Sequence, residues 1–155
     1  MATATQAQLD ATLIKSGGDK VTVRDMAKGK TTVLVFFPAA FTGVCTTEVC
    51  TFRDSLARFN AVQAQVAGVS IDTPFTLNVF AHQNGLTFPL LSDANREAIR
   101  AFDVVWPDLG GVRETASRAV IVLDRGGEVI YRWVGDNPGQ EPKYEEVIAA
   151  VEHAA

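Results

Sequence analysis

The chain has 155 residues, enough for one full hydrophobic core and too few for two comfortable domains, so a single domain over 1–155 is expected. With 47% apolar residues, 21% charged residues and a formal net charge of -4, it reads as an ordinary globular protein. It lacks the basic stripe that nucleic-acid binding needs. The opening MATATQAQLD lacks the charged and apolar regions of a secretory leader, and the apolar run from Val33 to Phe41 is interrupted by Pro38 and too short for a bilayer. The expectation is a cytoplasmic protein with no membrane attachment.

In chain order, Ala11 to Ile14 and Lys20 to Val23 flank Ser-Gly-Gly-Asp and predict an N-terminal β-hairpin. The β-branched and aromatic run from Thr31 to Phe37 predicts a central strand buried on both faces. From Cys45, the residues Val49, Phe52, Leu56 and Phe59 recur at helical spacing, predicting one helix that closes near Asn60. Val66 to Ile71 is the next buried strand. Thr73 and Pro74 then cap and open a helix that ends at Gly85.

Phe88 to Leu91 predicts a short strand, and Ser92 or Asp93 starts a helix through Phe102. Ala119 to Leu123 and Val129 to Trp133 form a hairpin around Asp-Arg-Gly-Gly. A last helix begins near Pro142. Strands alternating with helices, with a hairpin near each end, give an α/β protein with a central mixed β-sheet flanked by helices.

The chemistry concentrates in FFPAAFTGVCTTEVC, residues 36 to 50, which holds both cysteines, Cys45 and Cys50. Cys45 falls between a buried strand and a helix, where free backbone N–H groups and the helix dipole favour a thiolate. Thr42 can direct a hydroxyl into the same space. Pro38 offers a rigid wall without an N–H. In a reducing compartment such a cysteine pair is catalytic, sensing or metal-binding rather than a permanent staple. A zinc site needs four ligands at characteristic spacing, which Cys45, Cys50, His82 and His153 do not provide.

Pro38, Thr42 and Cys45 stand in the spacing P-x-x-x-T-x-x-C, which resembles the signature of the peroxiredoxin family. Glu48, three residues on, occupies a position where that family commonly has an acidic or amide residue. Thr87-Phe88-Pro89-Leu90-Leu91-Ser92-Asp93 resembles the family's F-P-L-L-S-D segment. Ser117-Arg118-Ala119 and the strand after it resemble the segment carrying its active-site arginine. The matches run in order from Thr31 to Trp133. The loop wording is similar to the one-cysteine alkyl hydroperoxide reductase E group. The placement of Cys50 is similar to the bacterioferritin comigratory protein group, where the second cysteine resolves the first. One departure is Gln8 to Leu13, which lacks the proline and phenylalanine of the family's opening A-P-D-F-x-L.

The resemblance implies a thioredoxin-like fold and a thiol-dependent peroxidase acting on hydrogen peroxide and organic hydroperoxides, with no cofactor and no metal. Cys45 would form a sulfenic acid on the peroxide oxygen. Thr42 would hydrogen-bond the peroxide, Arg118 would stand beside the thiolate, and Glu48 would hold Arg118. Cys50 would close an intramolecular disulfide that a thioredoxin-like reductant recycles. Five residues on a regular helix separate Cα atoms by about 8.6 Å, beyond the roughly 7 Å a disulfide spans, so the first turns of the helix must unwind.

Alternatives stay open at this level. Cys50 can be an inert core residue, leaving a one-cysteine peroxidase recycled by a small thiol, or the fold can serve as a peroxide sensor. A disulfide exchanger would want Cys-x-x-Cys, which is absent. Phe41, Trp106 and Pro107 can each be core residues; the resemblance implies that their regions border the peroxide entrance, where Phe41 and Trp106 would give an apolar mouth, and a dimer surface, so that a homodimer is expected with Phe41 near its interface.

Overall fold

The computed structural model describes residues 2–154. The chain opens with β1 (Ala2–Thr3) and α1 (Gln6–Asp10). Thr5 starts α1 with a capping box: its hydroxyl accepts from the Gln8 N–H while the Gln8 side chain accepts from the Thr5 N–H. The expected hairpin follows as β2 (Thr12–Ile14) and β3 (Lys20–Thr22), paired antiparallel. α2 (Val23–Ala27) starts directly from Thr22, whose hydroxyl accepts from the Asp25 N–H.

β4 (Thr32–Phe36) is buried throughout. The single helix expected from Cys45 to Asn60 is two helices, α3 (Gly43–Asp54) and α4 (Leu56–Ala61). Ser55 breaks the ladder at ψ 0°, and its N–H turns to the carbonyls of Thr51 and Phe52. The apolar face continues across the break because Val49, Phe52 and Phe59 all reach the core.

β5 (Gln65–Ser70) leads to α5 (Pro74–Gln83), capped by Thr73 with Pro74 in its first turn, as expected. β6 (Leu90–Ser92) starts two residues later and ends one residue later than the pattern indicated. α6 (Glu97–Ala101) begins well after Asp93. The Asp93 carboxylate reaches forward instead, accepting from the Ala98 and Ile99 N–H groups at 3.0 and 2.8 Å, so it caps the helix from outside it.

A hairpin that the sequence reading missed follows: β7 (Val105–Leu109) and β8 (Val112–Ala116), turned by Gly110 and Gly111 at φ +58° and +94°. Two positive φ values suit two glycines. The second expected hairpin is β9 (Ala119–Leu123) and β10 (Glu128–Val134). The last helix, α7 (Tyr144–Ala154), starts two residues after Pro142.

The main sheet has the order β1-β10-β9-β4-β5-β6-β2-β3. β4, β5 and β6 run parallel, and the other pairings are antiparallel. This is the mixed sheet that the pattern of elements indicated. Its pleat sends alternate residues to opposite faces. Val33, Val35, Val120 and Val122 pack with Val49, Phe52, Phe59, Phe80 and Val151 from α3, α4, α5 and α7. Leu34, Phe36, Ile121 and Leu123 pack on the other face with Val23, Ile99 and Phe102. Helices cover both faces, which is why the central strands read as unbroken apolar runs.

Candidate active site

Cys45 lies in the first turn of α3, immediately beyond the C-terminal end of β4, and is 1% exposed. The loop between them is tied down at two points. The Ala40 N–H donates to the Asp72 carboxylate at 2.8 Å, and the Thr42 hydroxyl donates to the Ala39 carbonyl at 2.9 Å. Phe41 takes a left-handed φ of +65° between these anchors, and Thr42 becomes the N-cap residue of α3. Asp72 is fixed in turn by the Ser70 hydroxyl at 2.6 Å. A loop held this way keeps the first N–H groups of α3 aimed at the space beside Cys45.

Arg118, between β8 and β9, reaches that space from the sheet side. Its Nη2 donates to the Cys45 sulfur at 3.1 Å and its Nη1 to Glu48 Oε1 at 2.9 Å. Cys45 and Glu48 are three apart on one helix and therefore share a face. The guanidinium is clamped on its far side by the Pro138 carbonyl, which accepts from Nε at 2.9 Å and from Nη2 at 2.6 Å. Pro138 is presented by a self-bonded loop: the Asp136 N–H donates to the Gln140 side chain, and the Gly139 N–H to the Asn137 side chain.

Arg118 is 2% exposed and Glu48 is fully buried. Burial pushes the Glu48 carboxyl up to about 8, against the opposing pull of Arg118. Its Oε2 has no hydrogen-bond partner among the described residues.

A cavity of about 230 Å³ opens over the sulfur, bounded by Pro38, Thr42, Val44, Leu109, Arg118 and Pro138. Most of that wall is apolar, with the Thr42 hydroxyl and the guanidinium as its polar groups. Pro38, Thr42, Cys45, Glu48 and Arg118 are thus brought together. Trp106 and Phe41 do not line this cavity. Trp106 donates its indole N–H to the Asp108 carbonyl, and Leu109 of the same hairpin forms the wall instead. Phe41 is 53% exposed and packs edge-on against Phe80.

Sequence reasoning did not single out Asp72, Leu109 or Pro138 as site residues. Asp72 was visible only as part of a helix start. Leu109 belongs to the missed hairpin. Pro138 acts through a carbonyl that any residue carries.

Cys50 lies further along the intact α3, partly buried, and both cysteines are free thiols. Its sulfur donates to Asn84 Oδ1 at 3.6 Å, at the C-terminal end of α5. Arg53 ties the same spot by donating to the Asn84 carbonyl at 2.6 Å. His82 and His153 are exposed on α5 and α7. Among the described residues, no group of three or more His, Cys, Asp or Glu side chains is placed to hold a metal ion.

Comparison with known proteins bears on this geometry. The model of the AhpC/TSA family matches residues 4–132. The chain is 37% identical to alkyl hydroperoxide reductase E of Mycobacterium tuberculosis over 119 residues, 76% of each chain. It is 33% identical to peroxiredoxin-2 of Bos taurus over 138 residues, 84% of this chain and 67% of that one. Among solved structures, the bacterioferritin comigratory protein of Xanthomonas campestris superposes with a TM-score of 0.85 at 30% identity. That match covers 100% of this chain and 99% of the other.

Proposed function

The chain belongs to the AhpC/TSA family and is a thiol-dependent peroxidase of the peroxiredoxin type, and from that premise we propose that Cys45 is its peroxidatic cysteine and Cys50 its resolving cysteine. The observation that carries this reading is the buried 3.1 Å hydrogen bond from Arg118 to the Cys45 sulfur, at the base of a small cavity. The guanidinium is thus the charged donor that a nucleophilic sulfur at this position faces.

The cycle follows from the groups present. A hydroperoxide enters the cavity and hydrogen-bonds to Thr42. The Thr42 hydroxyl donates to the Ala39 carbonyl, yet its oxygen keeps lone pairs free to accept from the peroxide. Arg118 and the open N–H groups at the start of α3 face the charge that develops as the O–O bond breaks. Pro38 and Pro138 fix the shape of the site without adding donors. Glu48 orients Arg118. Cys45 becomes a sulfenic acid. The apolar wall of Val44 and Leu109 suits organic hydroperoxides as well as hydrogen peroxide.

Cys50 then attacks Cys45, water leaves, and the disulfide is reduced by a thioredoxin-like protein. The intact α3 keeps the two residues too far apart, so its first turns unwind at this step. We further assign the whole of 1–155 to one thioredoxin-like domain acting in the cytoplasm. Among the described residues, no helix is long and apolar enough to cross a membrane.

A homodimer with Phe41 at its interface completes the reading. Phe41 is 53% exposed, and Phe75 and Val79, one turn apart on the adjoining α5, are 80% and 48% exposed. Sedimentation at micromolar concentration should show a dimer that Phe41→Asp dissociates. A monomeric wild type rejects the dimer.

The decisive experiment for the chemistry is intact mass of wild type and Cys50→Ser after one equivalent of hydrogen peroxide with a dimedone trap. The reading expects a loss of two hydrogens in wild type and a Cys45 adduct in the variant. Adducts at Cys45 in both would leave a one-cysteine peroxidase recycled by an outside thiol. No oxidation of Cys45 in either would overturn its role.

A further inference from the structure

One cation serves two buried acids at this site. The Arg118 guanidinium lies between the Cys45 sulfur, at 3.1 Å, and Glu48 Oε1, at 2.9 Å, and its remaining donors go to the neutral Pro138 carbonyl. Cys45, Glu48 and Arg118 are 1%, 0% and 2% exposed. Among the described residues, the other charged group that bears on Glu48 is an acid. Glu141, ahead of α7, is acidic, and the Tyr144 hydroxyl of α7 donates to Glu141 at 2.7 Å.

Charge balance therefore allows one anion at a time. A thiolate and a carboxylate together would leave a net negative charge in a closed, low-dielectric space. Burial pushes the Glu48 carboxyl upward, towards its protonated form, and a thiolate on the other side of the same guanidinium favours that proton further. The unpartnered Oε2 is the oxygen left to carry it.

We propose that Glu48 is a proton store for the peroxidase cycle, protonated while Cys45 is a thiolate and ionised once Cys45 is a sulfenic acid. The inference rests on the reading of Cys45 as the peroxidatic residue. The thiolate attacks the terminal peroxide oxygen, so an S–O bond forms and the O–O bond breaks. The sulfur loses two electrons, and the other peroxide oxygen leaves as an alkoxide. The sulfenic acid is neutral, so Arg118 loses its anion. Glu48 gives up its proton and becomes the counter-ion. That proton balances the one the alkoxide takes up to become an alcohol, and the net charge of the cluster is unchanged. Reduction back to the thiolate returns the proton to Glu48.

The test uses the Cys50→Ser protein, which stops at the sulfenic acid, reduced, at pH 7 in weak buffer with a pH indicator. One equivalent of organic hydroperoxide is mixed in while thiolate absorbance and dimedone trapping report oxidation of Cys45. With Glu48 in place, proton uptake per sulfenic acid should be near zero. Adding Glu48→Gln should raise it to one, because the amide has no proton to give. Infrared difference spectra of the Glu48-containing protein should lose a protonated-carboxyl band on oxidation, a readout that does not depend on the variant folding. Uptake of one proton with Glu48 present, or an unchanged carboxyl band, overturns the proton store and leaves the peroxidase reading standing. Absence of any sulfenic acid at Cys45 overturns both.

Discussion

The Arg118 guanidinium donates to Glu48 at 2.9 Å between two side chains that solvent does not reach. The same planar fork bonds the Cys45 sulfur and the Pro138 carbonyl. A guanidinium presents its donors in a fixed planar fork that spans all three acceptors, whereas an ammonium concentrates its three donors at one atom. Arg118→Lys keeps the charge but satisfies at most part of this set. The expected result is a fall of roughly 10²–10³-fold in the second-order rate of peroxide reduction, the scale of losing one oriented donor to a developing anion. Stopped-flow oxidation of Cys45 at a pH where its thiolate is fully formed checks this. Wild-type speed in the variant would remove Arg118 from the chemistry.

Burial of Glu48 also makes stability depend on pH, with a definite sign. In the unfolded chain the carboxyl ionises near 4.5, and in the folded protein at about 8. Between those values the folded state binds more protons, so stability falls as pH rises. The contribution is full below about 4.5 and lost by about 8. Asp93, also raised by burial, adds a slope of the same sign. The difference between wild type and Glu48→Gln isolates the Glu48 part. Urea midpoints of the reduced proteins should converge or cross as pH falls, with the Gln variant flatter from 5 to 8. Parallel curves would show that Glu48 does not titrate in this window.

How much of this was legible in the sequence depends on where each contribution comes from. Pro38, Thr42 and Cys45 occupy one contiguous loop, so their spacing is visible locally, and the α/β class with a mixed sheet follows from the alternation of elements, while the thioredoxin-like fold comes only from the family resemblance. Arg118 is 73 residues from Cys45, and only family resemblance joins the two. Strand order is set by pairing between distant segments, which local periodicity does not encode. The β7–β8 hairpin carried its Gly110-Gly111 signal, but Pro107 inside its first strand weakens the strand pattern there. Pro138 contributes a backbone carbonyl, and no residue type announces that.

Asn84 restrains Cys50 in the reduced protein. Its Oδ1 accepts from the Cys50 sulfur while its Nδ2 donates to the Phe80 carbonyl at 2.8 Å. Unwinding α3 to bring Cys50 to Cys45 must break the sulfur contact. Asn84→Ala should therefore speed disulfide formation by about fivefold, the kinetic equivalent of one hydrogen bond of about 1 kcal/mol. Rapid quenching with dimedone reads it as a shorter lifetime of the Cys45 sulfenic acid. An unchanged lifetime would mean that this contact does not limit the approach of Cys50.

Thr42 separates positioning of the peroxide from activation of the sulfur. Its hydroxyl sits at the cavity wall, donates to Ala39 at 2.9 Å and is not hydrogen-bonded to Cys45 or Arg118. Thr42→Val keeps the shape and removes the acceptor for the peroxide hydrogen. The thiolate titration of Cys45, followed by ultraviolet absorbance, should stay where it is in wild type. The rate with saturated thiolate should drop by roughly 10- to 100-fold, corresponding to about 1.5–3 kcal/mol for a hydrogen bond in a charged site. Thr42→Ser, which restores the hydroxyl, should recover most of the loss. If Val and Ser variants lose equally, the methyl packing of Thr42 matters and its hydroxyl does not hold the peroxide.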